Sequence, residues 1–125
     1  ALHLLYFYDP ELGRRAMRHV TEVQANLRGS FYRSGTIGLD RNLFRPDVSY
    51  DNRIRTALHE VIHATELPGY VVTVNTPPTI ASQIEARVET LARTIATRYG
   101  YDNFDNCSYQ NDIDQAGLIA PMGAC

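Results

Sequence analysis

His59-Glu60-Val61-Ile62-His63 places two imidazoles and a carboxylate within five residues. If Arg55 to Glu66 forms one helix, the two histidines at i and i+4 project from the same face and both can reach one metal ion. Glu60 then sits where it can touch a water on that ion. Two ligands and one base at this spacing suggest zinc-dependent hydrolysis, with a third protein ligand supplied from elsewhere. The filler positions Ala57, Leu58, Val61, Ile62 and Ala64 are apolar, as a helix that must hold ligands still requires. The alternative is an amphipathic helix whose two histidines and one glutamate are surface residues by accident.

A second element must bring the third ligand. From about Ile80 to Tyr99, Ile84, Val88, Leu91, Ala92, Ile95 and Tyr99 recur at helical spacing and form one apolar stripe. Glu85 lies within the edge of that stripe and Glu89 at its margin, one turn later. They are the only carboxylates on this helix. No histidine follows His63, so a carboxylate is the expected third ligand.

Over Thr56 to Thr65 the chain resembles the zincin superfamily of metallopeptidases. Glu66 and Gly69 stand where the metzincin branch has its glycine and third histidine, which excludes that branch. Gln83-Ile84-Glu85-Ala86-Arg87-Val88-Glu89 is similar to the E-x-x-x-D pattern of the gluzincins. By that resemblance Glu85 binds zinc and Glu89 accepts the other N–H of a ligand histidine, fixing its tautomer. A second register, Glu89-Thr90-Leu91-Ala92, resembles the E-x-x-A of short zincins and would make Glu89 the ligand. A faint likeness of Arg93 to Gly100 to an aspzincin motif keeps Asp102 and Asp105 as remote alternatives. The family commonly places an edge strand before the metal helix to bind extended substrate, and Gly35 to Phe44 alternates enough to be that strand.

The resemblance implies a small α+β domain with a short mixed sheet, an HExxH helix and a second helix carrying the third ligand. It implies a zinc metallopeptidase, an endopeptidase, acting on a peptide or protein substrate. Zn²⁺ is the cofactor, and Glu60 is the general base toward the zinc-activated water. An oxyanion donor is also needed, and Tyr70, Tyr99, Tyr101 and Tyr109 all qualify by type. Two other readings stay open: a metal-binding effector of zincin fold without turnover, and a small α+β protein with a chance HExxH. At 125 residues the chain is short for this superfamily, which implies a shallow cleft, narrow specificity, or a partner or inhibitor protein that completes the site.

Composition sets the remaining bounds. The length is that of one domain, and 44% hydrophobic residues suffice for a core. A net charge of −2 gives no reason to expect nucleic acid, and no apolar run approaches a membrane span. All 12 basic residues are arginine, for which we have no physical account. A monomer is expected. Cys107 and Cys125 adjoin no histidine, which argues against a zinc finger and for a disulfide that pins the tail. That pairing implies secretion; two free thiols on a flexible tail are the alternative.

The rest of the chain reads as connecting structure. Ala1 to Tyr8 reads as a buried strand, too short and without the basic start of a signal peptide, so Ala1 could begin a processed or trimmed chain. Asp9-Pro10-Glu11 opens a helix to about Leu27, with His19 as a satisfied boundary histidine. His3 is given no role. Ser30 to Gly38 is a polar connection and Thr36 to Phe44 a strand. Ser49 or Asp51 caps the metal helix, and Leu67-Pro68-Gly69 ends it. Tyr70 to Val74 is a β-prone run, and Thr79 or Ser82 caps the second helix. From Gly100 the tail is expected to pack as an ordered loop if the disulfide forms.

Overall fold

The computed structural model describes all 125 residues, Ala1–Cys125. Helix α1 (Leu2–Tyr8) and helix α2 (Pro10–His19) meet at Asp9, whose extended backbone breaks the run. Its carboxylate accepts from the N–H groups of Glu11 and Leu12, and Pro10 follows at the position where no donor is needed. Strands β1 (Glu22–Asn26), β2 (Phe31–Arg33) and β3 (Thr36–Asp40) form a mixed sheet in the order β1-β3-β2. β1 runs parallel to β3 from Glu22↔Thr36 to Asn26↔Asp40, and β2 runs antiparallel to it from Phe31↔Gly38 to Arg33↔Thr36. Helices α3 (Tyr50–His63), α4 (Pro78–Arg98) and α5 (Gln110–Gln115) complete an α+β chain. No helix is long and apolar enough to cross a membrane.

The core lies where α1, α3 and α4 meet the inner face of β3. Leu5, Leu58, Ile62, Val88, Ala92 and Ile95 are fully enclosed there. Ser49 caps α3 by accepting from Asn52 N at 3.1 Å, one of the two caps the sequence offers. α4 starts instead on Pro77 and Pro78 with no side-chain cap; neither Thr79 nor Ser82 serves. Ser82 donates to Asp112 of α5, tying the tail to the start of α4.

Several local expectations are corrected. Ala1–Tyr8 is not a strand but a helix from Leu2. Ala1, Leu2, Leu4, Leu5 and Tyr8 all touch the core, and that grouping, with Leu4 and Leu5 buried side by side, is helical rather than alternating. The helix opened at Pro10 stops at His19, not near Leu27. Val23 and Leu27 are exposed, so they never extend an apolar helical face, and Thr21 N already bonds Gly35 O at 2.8 Å at the sheet. The strand from Thr36 ends at Asp40, whose side chain accepts from Asn42 N and starts a 3-10 turn over Arg41–Phe44. This strand is also central, not at the edge. The edge beside α3 is β2, inside the stretch that reads as a polar connection. Finally, Tyr70–Val74 follows a 3-10 turn at Pro68–Tyr70 and joins no sheet.

Gly38 shows why β3 can sit beside so short an edge strand. A Cβ at this position would fall 2.1 Å from the Phe31 ring, which occupies that space.

The tail is more ordered than a plain loop. Cys107 and Cys125 are joined in a disulfide. Phe104 and Ile113 are buried, and Ala124 N returns to Phe104 O at 2.8 Å.

Candidate metal centre

α3 and α4 pack along their length and set the site between them. Apolar residues at Leu58, Val61 and Ile62 turn α3 inward, so His59 and Glu60 are carried below the surface, at 2% and 4% exposure. On α4, Val88 and Ala92 fix the rotation that brings Glu85 and Glu89 to the same seam.

His59, His63 and Glu85 each offer one donor atom, and these atoms all lie within 4.8 Å of one another. Glu85 Oε1 is 3.5 Å from His59 Nε2 and 2.6 Å from His63 Nε2. Both imidazoles are oriented through their other nitrogen. His63 Nδ1 lies 2.7 Å from Tyr70 O, a carbonyl that can only accept, so Nδ1 carries the proton there. His59 Nδ1 lies 2.9 Å from Glu89 Oε1. The two Nε2 atoms are thereby left facing each other and Glu85. His59 Nε2 and Glu85 Oε1 are buried with no aligned hydrogen-bond partner, and buried polar atoms are rarely left so. Two imidazole nitrogens and a carboxylate oxygen converge here, and together they form a donor set that fits Zn²⁺.

Charge in this pocket is strongly coupled. Burial alone would depress His59, but Glu85 and Glu89 hold its pKa up to about 9. Burial would raise Glu85, but the two imidazoles hold it down to about 2. Glu60 is pushed up chiefly by burial, with Glu85 and Glu89 adding to it and His59 and His63 opposing.

Glu89 is fully buried and its oxygens are committed elsewhere. Oε2 accepts from Arg55 Nη1 at 2.6 Å and from Arg93 Nε at 3.0 Å, while Oε1 faces His59. Burial opposes the carboxylate form, and His59, Arg55 and Arg93 overcome it, lowering the pKa of Glu89. Asp105 sits away from this cluster, 2.6 Å from Asn52 Nδ2, and Asp102 is exposed and outside it.

The site opens into a cleft of about 620 Å³. β2 and Ser34 form one wall and Tyr70–Val74 the other, with Glu60, His63, Glu85 and Tyr109 at the base. Among the four candidate tyrosines, Tyr70 and Tyr109 line this cleft. Tyr99 and Tyr101 pack against the core instead. His19 behaves as a boundary histidine, with Nδ1 2.9 Å from Ala64 O. His3 stacks edge-on against Phe7.

Two participants, Arg55 and Arg93, and one contact, that of the candidate Tyr109 with His59, are not evident from composition and motif alone. Arg55 is one turn before His59, and Arg93 is one turn after Glu89, both on inward faces. A cation at i±4 from a candidate site residue, within an apolar stripe, is the signal that would have found them. Tyr109 carries no such signal. It lies far along the chain and reaches His59 through the disulfide-bonded tail. No protein-family model, no curated protein and no solved structure matches this chain.

Proposed function

We propose that this protein is a zinc-dependent metallopeptidase, with His59, His63 and Glu85 as the metal ligands and Glu60 as the general base. The observation that carries the reading is the pairing of two pre-oriented imidazoles with an unsatisfied carboxylate oxygen, beside a buried glutamate at the base of an open cleft. A zinc ion held there would supply a Lewis acid that polarises a carbonyl and makes water more acidic.

The chain's own residues account for the rest. Tyr70 O and Glu89 keep both Nδ1 atoms engaged, which would leave each Nε2 to hold a metal. Glu89 in this reading orients a ligand and does not itself bind metal, because Arg55, Arg93 and His59 already saturate its oxygens. Glu60 faces the cleft, and burial raises its proton affinity above that of a free carboxylate, which favours a role as a base. It would take a proton from water and pass it to the leaving amine. Edge strand β2 and the Tyr70–Val74 segment bound the cleft on its two sides, and an extended peptide substrate would lie between them. The disulfide is compatible with an oxidising compartment, and we read the protein as secreted.

The test is metal analysis of untagged protein followed by peptide-library digestion, with Glu60→Gln in parallel. About one zinc per chain in both proteins is expected, with turnover lost by about 10²-fold or more in the variant. Undiminished cleavage by Glu60→Gln would overturn the proposed base. Stoichiometric zinc with no cleavage in either protein would instead favour a metal-binding effector of the same architecture.

A further inference from the structure

Tyr109 is held in an unusual way for a residue outside both metal-site helices. Its ring stacks on the His59 imidazole with centroids 4.6 Å apart and planes 15° from parallel. Its side chain lines the cleft beside Glu85. Its backbone is left-handed, at φ 66°, a conformation that non-glycine residues adopt at a cost and keep only when neighbours hold them there.

Those neighbours are identifiable. Arg93 Nη2 donates to Ser108 O at 2.9 Å, and Arg93 Nη1 to Gln110 Oε1 at 2.7 Å, gripping the chain on both sides of Tyr109. Through Nε the same guanidinium binds Glu89, the partner of His59. Two residues before Tyr109, Cys107 is bonded to Cys125. Downstream, Ile113 is buried and Asp112 accepts from Ser82 of α4. His59 is thus fixed on its ring edge by Glu89 and on its ring face by Tyr109, and Arg93 connects the two supports.

We propose that the disulfide-closed tail is a working part of the site, and that Tyr109 is a positioning residue that clamps His59 and Glu85 in the geometry that takes metal. The proposal rests on the metal reading above for its consequence, but not for its geometry. The Cys107–Cys125 bond keeps the tail closed over the site, and reducing it loosens the clamp and weakens metal binding. The place of Tyr109 at the base of the cleft is then conditional on an oxidised disulfide.

Two measurements on the full chain test this separately. In metal-free protein, the ring hydrogens of His59 are expected to carry an upfield NMR shift from the face of Tyr109. That shift is expected to survive Tyr109→Phe, and to vanish in Tyr109→Ala and on reduction with a phosphine. His59 resonances unmoved by both Tyr109→Ala and reduction would overturn the clamp, whether or not the protein binds metal. In the second measurement, zinc affinity is read by competition with a chromophoric chelator, and the cobalt-substituted absorption spectrum is recorded alongside. Tyr109→Ala and the double variant Cys107→Ser/Cys125→Ser are expected to bind zinc about 10-fold or more weakly, with an altered cobalt spectrum. Tyr109→Phe should lie between them and the parent. Ile119→Ser, at an exposed tail position, should match the parent throughout. Parent-like affinity and spectrum in folded Tyr109→Ala would overturn the positioning role. A parent that binds no zinc would sink the metal reading instead, and the NMR measurement would still decide the clamp. If the double variant fails to fold by circular dichroism, Tyr109→Ala and Tyr109→Phe carry the test.

Discussion

Glu89 and His59 meet at 2.9 Å, Oε1 to Nδ1, in a space where neither side chain is more than 2% exposed. The contact directs the imidazole's other nitrogen to Glu85, and it is itself secured because Arg55 and Arg93 occupy the second oxygen of Glu89. Glu89→Ala would leave two buried guanidinium groups without their counter-charge. Removing one partner of a buried ion pair costs about 3–5 kcal/mol, so urea unfolding of the metal-free variant should show a loss of that order. Glu89→Gln keeps an acceptor for His59 and should cost less in stability. It should still weaken zinc binding by about 10–100-fold, as loss of a ligand's orienting partner does.

Glu85 should behave in the opposite way. It is partly exposed, at 25% for the side chain, and no arginine depends on it. Glu85→Ala is expected to abolish stoichiometric zinc binding while leaving the metal-free protein folded, with a smaller loss of stability than Glu89→Ala, because its pairing with the two imidazoles is partly exposed. The contrast between the two glutamates, one turn apart, separates ligand from orienting residue. A variant pair in which Glu89→Gln loses zinc outright and Glu85→Ala keeps it would reverse the assignment.

How much of this could be read before folding follows from how local each feature is. The histidine pair is a property of one helical turn, and Glu85 and Glu89 follow from the period of α4, so both are legible in a short window of sequence. Their order of roles is only suggested by inwardness, because the deciding contacts come from Arg55 on the other helix. β1 and β2 are invisible to such a reading. β1 has no alternating face, being exposed through Ala25, and it is a strand because it pairs with β3 across the intervening hairpin. The Ala1–Tyr8 stretch reads as a strand for another reason: a run of eight residues, apolar but for His3, is too short for periodicity to separate helix from strand. Tyr109 reaches His59 from fifty residues away through a covalent bond and an arginine, and no local pattern encodes that.

The pocket's charges give a pH dependence with a definite sign. In metal-free protein the folded pKa of His59 is about 9, above its ordinary 6.5. The folded state therefore binds that proton more tightly, and the stability it contributes is fully present below about pH 6.5 and is lost as pH rises through about 9. Glu85 is held at about 2, below its ordinary 4.5. Its contribution is present above about pH 4.5 and is lost as pH falls through about 2. Thermal scans of chelated protein should accordingly show a plateau between those limits and a decline toward alkaline pH. Zinc competes with the proton on His59, so the added stability of the zinc-loaded protein should grow over the same alkaline interval. A metal-free midpoint that rises between pH 6.5 and 9 would contradict the pairing of His59 with Glu85 and Glu89.

Gly123 offers a way to loosen the tail without touching the disulfide, Tyr109 or Arg93. Its φ is +58°, and a Cβ there would fall 2.6 Å from the Phe104 ring and 2.8 Å from Phe104 O. Phe104 is fully buried, and its carbonyl receives Ala124 N, so neither can yield without opening the loop. Gly123→Ala combines an unfavourable backbone conformation with a clash, together worth about 1–3 kcal/mol. The cost should be local, because the core formed by α1, α3 and α4 does not include Gly123. Amide hydrogen exchange is the appropriate readout. Protection should fall between Phe104 and Cys125 while the amides of α3 and α4 keep theirs. Uniform loss across the whole chain would mean instead that the tail and the helical core unfold as one cooperative unit.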